Sequence, residues 1–297
     1  MRVAILGCGY VGLELARQLG VDHEVVGVRR SDDGIAAIEA TGATGVRADV
    51  TDEDDLTAVQ DVDSLVFAAS SGGRGAKAAE RVYVDGLRTV IEAFGTRASP
   101  PDQLIYTSST GVYGDHDGGW VDETTELSPT TDKTRVLAEA ERMAREVAPE
   151  YGIDGSVVRF AGLYGPDRYR LDRYLEGPVT EGYLNMIHRK DAAGVVRFAL
   201  ESTGEELLLA VDDEPVDKHA FADWLADECG VARPPKRTKT ERLEDGELSA
   251  AARRRILTSK RCSNDRLHEL GYEFAYPTYR EGYRAAIEAY RKERADA

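Results

Sequence analysis

Cysteine is scarce in this chain of 297 residues. Cys8, Cys229 and Cys262 are too few and too scattered for a disulfide framework or a cysteine-rich zinc site, so no metal is expected and a reducing, cytoplasmic location is. Long apolar runs are also missing, and none approaches the roughly 20 residues that span a bilayer. The first strand-like run starts at residue 2 or 3, and no signal peptide is expected ahead of it. Positive charge is short: 38 Lys and Arg stand against 54 Asp and Glu, for a formal charge of −16. A surface of that sign repels nucleic acid and anionic membranes, which leaves a small molecule as the expected partner. The acids are spread along the chain and form no tail, a pattern that fits a halophilic protein solvated by carboxylates, or simply an acidic one. No internal repeat or low-complexity segment is evident.

Glycine, by contrast, is well placed. An apolar run over residues 3–6 meets the segment GCGYVG, and Leu13, Leu15, Ala16 and Leu19 follow at helical spacing. The order is strand, turn, helix: Gly7 permits the tight turn, Gly9 lets backbone approach a pyrophosphate, and Gly12 lets the helix lie on the strand. This is the expected pattern of a dinucleotide site, with Tyr10 and Val11 opening the helix over the phosphates. A glycine turn kept only for packing is the bland alternative. At the end of the second apolar run, about twenty residues on, an acid usually binds the ribose 2′-hydroxyl. Here stand Arg29, Arg30 and Ser31. A guanidinium grips a phosphate through two hydrogen bonds, so NADP is expected over NAD; the alternative is a pair of surface charges answered by Asp32 or Asp33.

Runs rich in Val, Ile and Leu recur at 3–6, 24–28, 45–48, 64–68, 103–107 and 156–160, separated by helical patterns at 13–19, 34–40, 54–60, 79–94 and 134–147. Such alternation predicts an α/β fold, a Rossmann-type doubly wound parallel sheet with a site at the carboxyl ends of its strands. A helix over 190–200 and a strand over 206–211 are expected to return to that sheet. The expected boundaries are 1–165, with 187–212 returning, for the dinucleotide domain, and 166–186 with 213–297 for a smaller substrate lobe. The basic loop RPPKRTKT, 233–240, is either an anion clasp or a plain surface loop.

Taken together, GCGYVG, ADVTD, YTSSTGVYGD, LSPTTDKTRVLAEAE, VVRFAGLYGP, NMIHRKDAAG and SKRCSNDRL resemble, in order and spacing, the extended short-chain dehydrogenase/reductases of the epimerase/dehydratase branch. The resemblance covers nearly the whole chain. It implies that Asp49 and Val50 contact adenine, that Ala68, Ala69 and Ser70 pass the cofactor ribose, and that Tyr164, with Gly165 and Pro166, turns beside the nicotinamide. It makes Ser109 the catalytic hydroxyl that donates to the substrate oxygen, and places Asn185, His188 and Asp191 in a segment that holds substrate. For His188 an imidazole satisfied inside the fold is the competing reading. The resemblance also implies a homodimer through the helices at 79–94 and 134–147, whose arginines could equally be solvated.

One departure stands out. The family's Tyr-x-x-x-Lys falls on Thr131 and Arg135. An aliphatic hydroxyl is too weak an acid to replace the phenol, and Arg135 can bond a ribose but cannot cycle a proton. Cofactor binding is spared, whereas the proton donor must be found elsewhere: Tyr113, a substrate-lining phenol by default, or a proton relayed by water or substrate with Ser109 and Thr131 polarising the carbonyl. The expectation is an NADP-dependent oxidoreductase or epimerase/dehydratase-like enzyme working on a hydroxyl or carbonyl carbon of a sugar, nucleotide sugar or other polar metabolite. The alternative is an NADP(H)-binding redox sensor without turnover.

Overall fold

The computed structural model describes residues 1–73 and 75–296. By their internal contacts these residues form two units: Met1–Val112, Asp132–Phe160 and Ala192–Leu208 in the first, and Tyr113–Thr131, Ala161–Asp191 and Leu209–Ala297 in the second.

The first unit is built on β1 (Arg2–Leu6), α1 (Tyr10–Leu19), β2 (Glu24–Arg29), α2 (Asp32–Glu39), β3 (Thr44–Arg47), β4 (Ser64–Phe67), α3 (Gly86–Gly95), β5 (Gln103–Ser109), α4 (Asp132–Arg142), β6 (Asp154–Phe160), α5 (Arg189–Phe198) and β7 (Leu207–Ala210). The strands lie in the order β7-β6-β5-β4-β1-β2-β3, and the pairs from β6 to β3 are parallel. Parallel strands are covered on both faces, which is why their sequences are continuous apolar runs and not alternating ones. Val3 to Leu6 and Leu65 to Phe67 are fully buried. The helices show the complementary pattern, one apolar stripe each: Val11, Leu15, Ala16 and Leu19 on α1, and Leu87, Val90, Ile91 and Phe94 on α3. From β1 the chain winds outward through β2 and β3, then returns to β4 on the other side of β1. That reversal opens a crevice at the carboxyl ends of β1 and β4, where Leu6 and Phe67 are in register.

A polar bolt holds α4 to the sheet. Glu141 and Arg159 of β6 form a buried ion pair at 2.6 Å, and Ser108 Oγ of β5 donates to Glu141 Oε1 at 2.5 Å.

The second unit is organised round rings. Tyr164, Phe221, Tyr279 and Tyr283 are buried with Met186, Leu225 and Ile287, and Tyr164 stacks on Tyr283 at 4.9 Å. A side chain at Gly282 would collide with the Tyr164 ring, so glycine there is a condition of the stack. Two helices frame the cluster: α6 (Lys218–Cys229), capped by the Asp217 carboxylate, and α7 (Tyr279–Ala295), opened by a capping box of Thr278 and Glu281. Short strand pairs complete the unit. The division departs from the expected boundaries mainly at Tyr113–Thr131, and the reason is that Trp120–Val121 pairs with Arg261–Cys262. Among the described residues no helix is long and apolar enough to cross a membrane.

Candidate dinucleotide and substrate sites

In the first unit the glycine turn is shaped by contact with β4. Gly7 has φ +85, and a Cβ there would run into the backbone of Ala69. Gly9 folds back to donate to the Gly7 carbonyl at 2.7 Å, and the Leu13 amide returns to the Gly9 carbonyl at 2.8 Å, starting α1. Gly12 faces Ile5, whose Cγ2 would lie 3.1 Å from a Cβ. Gly9 precedes α1 with no side-chain cap, so among the described residues the first-turn amides of Val11 and Gly12 have no cap from it. The opening of this ten-residue helix fits a pyrophosphate, and bulk at Gly7 would force the turn away from Ala69 and deform it. Cys8 lies in the turn, and burial pushes its thiol up to about 12, which disfavours the thiolate.

At the tip of β2 the three expected residues divide their work. Arg29 donates to the Cys8 carbonyl at 3.1 Å and so braces the glycine turn. Arg30 is mostly exposed and reaches Asp49 Oδ2 at 3.2 Å. Ser31 caps α2 by accepting from the Gly34 amide. Asp49 is partly buried, which opposes its charge, yet the Thr51 amide and hydroxyl and Arg30 hold its carboxyl below the ordinary range. Val50 is buried beside it. Ala68 continues from β4, its amide donating to the Leu6 carbonyl at 2.8 Å, and Ala69 and Ser70 carry the chain past Gly7.

Ser109 ends β5, and its Oγ accepts from the Gly111 amide at 3.1 Å. Accepting there orients the oxygen and leaves its hydrogen to be donated elsewhere. Arg135, on α4, is exposed and paired with Asp132 at 2.6 Å. Thr131, just before α4, is partly buried.

In the second unit Tyr113 is fully buried, and its phenol donates to the Asp122 carbonyl at 2.6 Å. Asn185 uses both ends of its amide on backbone, donating to Lys260 O at 2.9 Å and accepting from Cys262 N at 2.6 Å. His188 is 5% exposed. Its ring lies 4.0 Å from that of Tyr276 and edge-on to Tyr164, with Nδ1 accepting from the Lys190 amide. Burial pushes the Asp191 carboxyl up, although it accepts from the amides of Ala275 and Tyr276. The Tyr164 phenol is raised well above its ordinary range by burial, with the nearby Asp212 adding to the shift.

Three features escaped the sequence reading. Asp212 is 1% exposed; burial raises its carboxyl strongly, against the lowering effect of a hydrogen bond from the Glu214 backbone, and the nearby acids Asp213, Glu214 and Asp191 add to the rise. Nothing in the run VDDEP signals which acid turns inward. The Glu141–Arg159 pair is the second, and an arginine inside the apolar run VVRF was the available clue. Lys218 is the third.

A family model described as the NAD dependent epimerase/dehydratase family matches residues 3–205. Protein YeeZ of Escherichia coli K12 is 30% identical over 289 residues, covering 93% of this chain and 96% of that protein. A 3-diazoavenalumate denitrifying reductase of Streptomyces is 28% identical over 208 residues, 66% of this chain and 63% of the reductase. Among solved structures, UDP-glucuronic acid 4-epimerase from Bacillus cereus, in complex with NAD, aligns with a TM-score of 0.77 over 99% of both chains at 17% identity. At that identity the likeness concerns the fold.

Proposed function

From the premise that this chain belongs to the NAD-dependent epimerase/dehydratase family, we propose that it is an NADP-dependent oxidoreductase or epimerase/dehydratase-like enzyme acting on a hydroxyl or carbonyl carbon of a polar metabolite. The observation that carries the reading is the start of α1, without a side-chain cap, behind a turn that admits no side chain at Gly7, with a hydroxyl, Ser109, ending a strand of the same sheet. The reductase name of the Streptomyces relative agrees with it. A preference for NADP is favoured by Arg29 and Arg30 at the corner where an acid would select NAD. A cytoplasmic location fits three free, buried thiols.

When bound, the nicotinamide would exchange hydride with the carbon that bears the hydroxyl or carbonyl. The amides of Val11 and Gly12 would hold the pyrophosphate, Arg30 the 2′-phosphate, and Asp49 the adenine amino group. Ser109, oriented by Gly111, would donate to the substrate oxygen and stabilise charge developing there. The Tyr113 phenol, buried and donating to Asp122 O, acts in this reading as an anchor for its loop. The proton that accompanies hydride is therefore assigned to water or to a group of the substrate, not to a protein phenol. Arg135 would bond the ribose as a fixed cation.

Carbonyl metabolites should be screened for oxidation of NADPH by wild type and by Ser109→Ala. The expected result is turnover that falls about 100-fold in the variant with cofactor affinity unchanged. Tight dinucleotide binding with no turnover of any carbonyl would leave the sensor reading, which the absence of the Tyr-x-x-x-Lys pair favours.

A further inference from the structure

The second unit carries unneutralised cations in a place the basic loop did not mark. In that loop Arg233 pairs with Asp227, Lys236 with Asp223 and Arg237 with Asp245. Lys239 is different: its amide donates to Glu181 Oε1, and among the described residues its Nζ reaches the Leu257 carbonyl, at 3.4 Å. Its charge and that of Arg173 both act on Lys218 at the start of α6. Among the described residues neither Lys218 nor Arg173 has a carboxylate at ion-pair distance, in a chain where acids outnumber bases 54 to 38.

Asp217 is the acid whose charge acts on Lys218, and it, Glu181 and Asp115 each also accept from backbone amides. Asp217 caps α6 through the amides of His219 and Ala220, Glu181 accepts from Lys239, and Asp115 accepts from the Ser259 amide. Burial, and then the charges of Arg173 and Lys239, bring the Lys218 ammonium down to about 8, with Asp217 opposing the fall. The backbone gives way at the same spot. Gly182 has φ +120, and a Cβ on it would lie 3.1 Å from Lys218 Nζ and 3.7 Å from Ser259 Oγ. Nζ and Oγ thus converge on one small space that any side chain at 182 would fill. Cations that repel one another beside a hydroxyl are a poor arrangement until an anion joins them, and then a good one.

We propose that Lys218, Arg173 and Lys239, with the Ser259 hydroxyl, form a subsite for an anionic group, a phosphate or a carboxylate, carried by the metabolite this enzyme transforms. The assignment of the anion to substrate rests on the enzymatic reading above. The anion accepts from Nζ of both lysines, from the Arg173 guanidinium and from Ser259.

Pyrophosphate, inorganic phosphate and succinate serve as probes, titrated by calorimetry into wild type and Lys218→Met, with the Lys218 signal followed by NMR in protein carrying isotope-labelled lysine. The expected result is that one probe class binds wild type, raises the pH at which Lys218 titrates, and binds the variant at least about 10-fold more weakly. Pyrophosphate or phosphate alone assigns a phosphate, and succinate alone a carboxylate. No binding and an unmoved Lys218 titration, or equal binding by the variant, overturns the subsite; the wild-type titration decides even if the variant fails to fold. NADPH is titrated into the same samples. Loss of dinucleotide binding with the anion response intact would sink the enzymatic reading alone.

Discussion

Asp212 shows what a single residue does when burial outruns its partners. Its hydrogen bond from the Glu214 backbone does not offset burial, which holds the proton on the acid well above the ordinary carboxylate range. The folded state therefore keeps a proton that the unfolded chain releases near pH 3.9. The stability this group contributes is full below that pH and is lost as pH rises toward the folded value. Asp212→Asn cannot ionise, so it should gain stability relative to wild type between about pH 5 and about pH 8, by at least about 1 kcal/mol. Urea unfolding at the two pH values checks this, and parallel profiles for the two proteins would contradict it. The glycine turn was legible because its chemistry is local: Gly7, Gly9 and Gly12 act through contiguous backbone. Asp212 was not, because adjacent acids in VDDEP look alike until the fold buries one (1% exposed) and leaves Asp213 exposed.

Among elements, α4 illustrates the same limit. Its helical spacing was readable, and so was the loss of Tyr and Lys at Thr131 and Arg135. What attaches it to the sheet was not, because Glu141, Arg159 and Ser108 lie far apart in sequence and meet only when α4, β6 and β5 are in place. Removing one partner strands the other as a buried charge. Glu141→Ala should cost about 3–5 kcal/mol in denaturant unfolding, and adding Arg159→Met should restore much of it. A loss below about 1 kcal/mol would mean that the bolt contributes little. The excursion Tyr113–Thr131 was likewise hidden: GVYG reads as part of the first unit's loop, and only the pairing of Trp120–Val121 with Arg261–Cys262 attaches it to the second.

Across the whole molecule the governing quantity is charge. A net −16 makes the folded state repel itself, and dissolved salt screens that repulsion. We propose that this surface is adapted to concentrated salt. The melting temperature should climb by several degrees from about 0.1 M to about 2 M KCl, beyond the screening of the first tenths molar. A flat or falling series in differential scanning calorimetry would reduce the protein to an ordinary acidic one. The alternation of strand and helix and the parallel sheet followed from apolar periodicity, since parallel strands must be apolar on both faces; the strand order, and with it the switch point beside β1, did not. The aromatic cluster of the second unit did not, because Tyr164, Tyr279 and Tyr283 are distant in sequence and their stacking depends on Gly282.

The central claim is that the glycine turn and the arginines at the end of β2 hold a phosphorylated dinucleotide. Calorimetric titration of NADPH and NADH into wild type and Arg30→Ala tests it most directly. The account predicts that both bind wild type, NADPH more tightly, and that the variant loses about 10-fold for NADPH while its NADH affinity stays within about twofold. Binding of neither dinucleotide to wild type would contradict it, leaving the turn at Gly7 as a packing device of the fold.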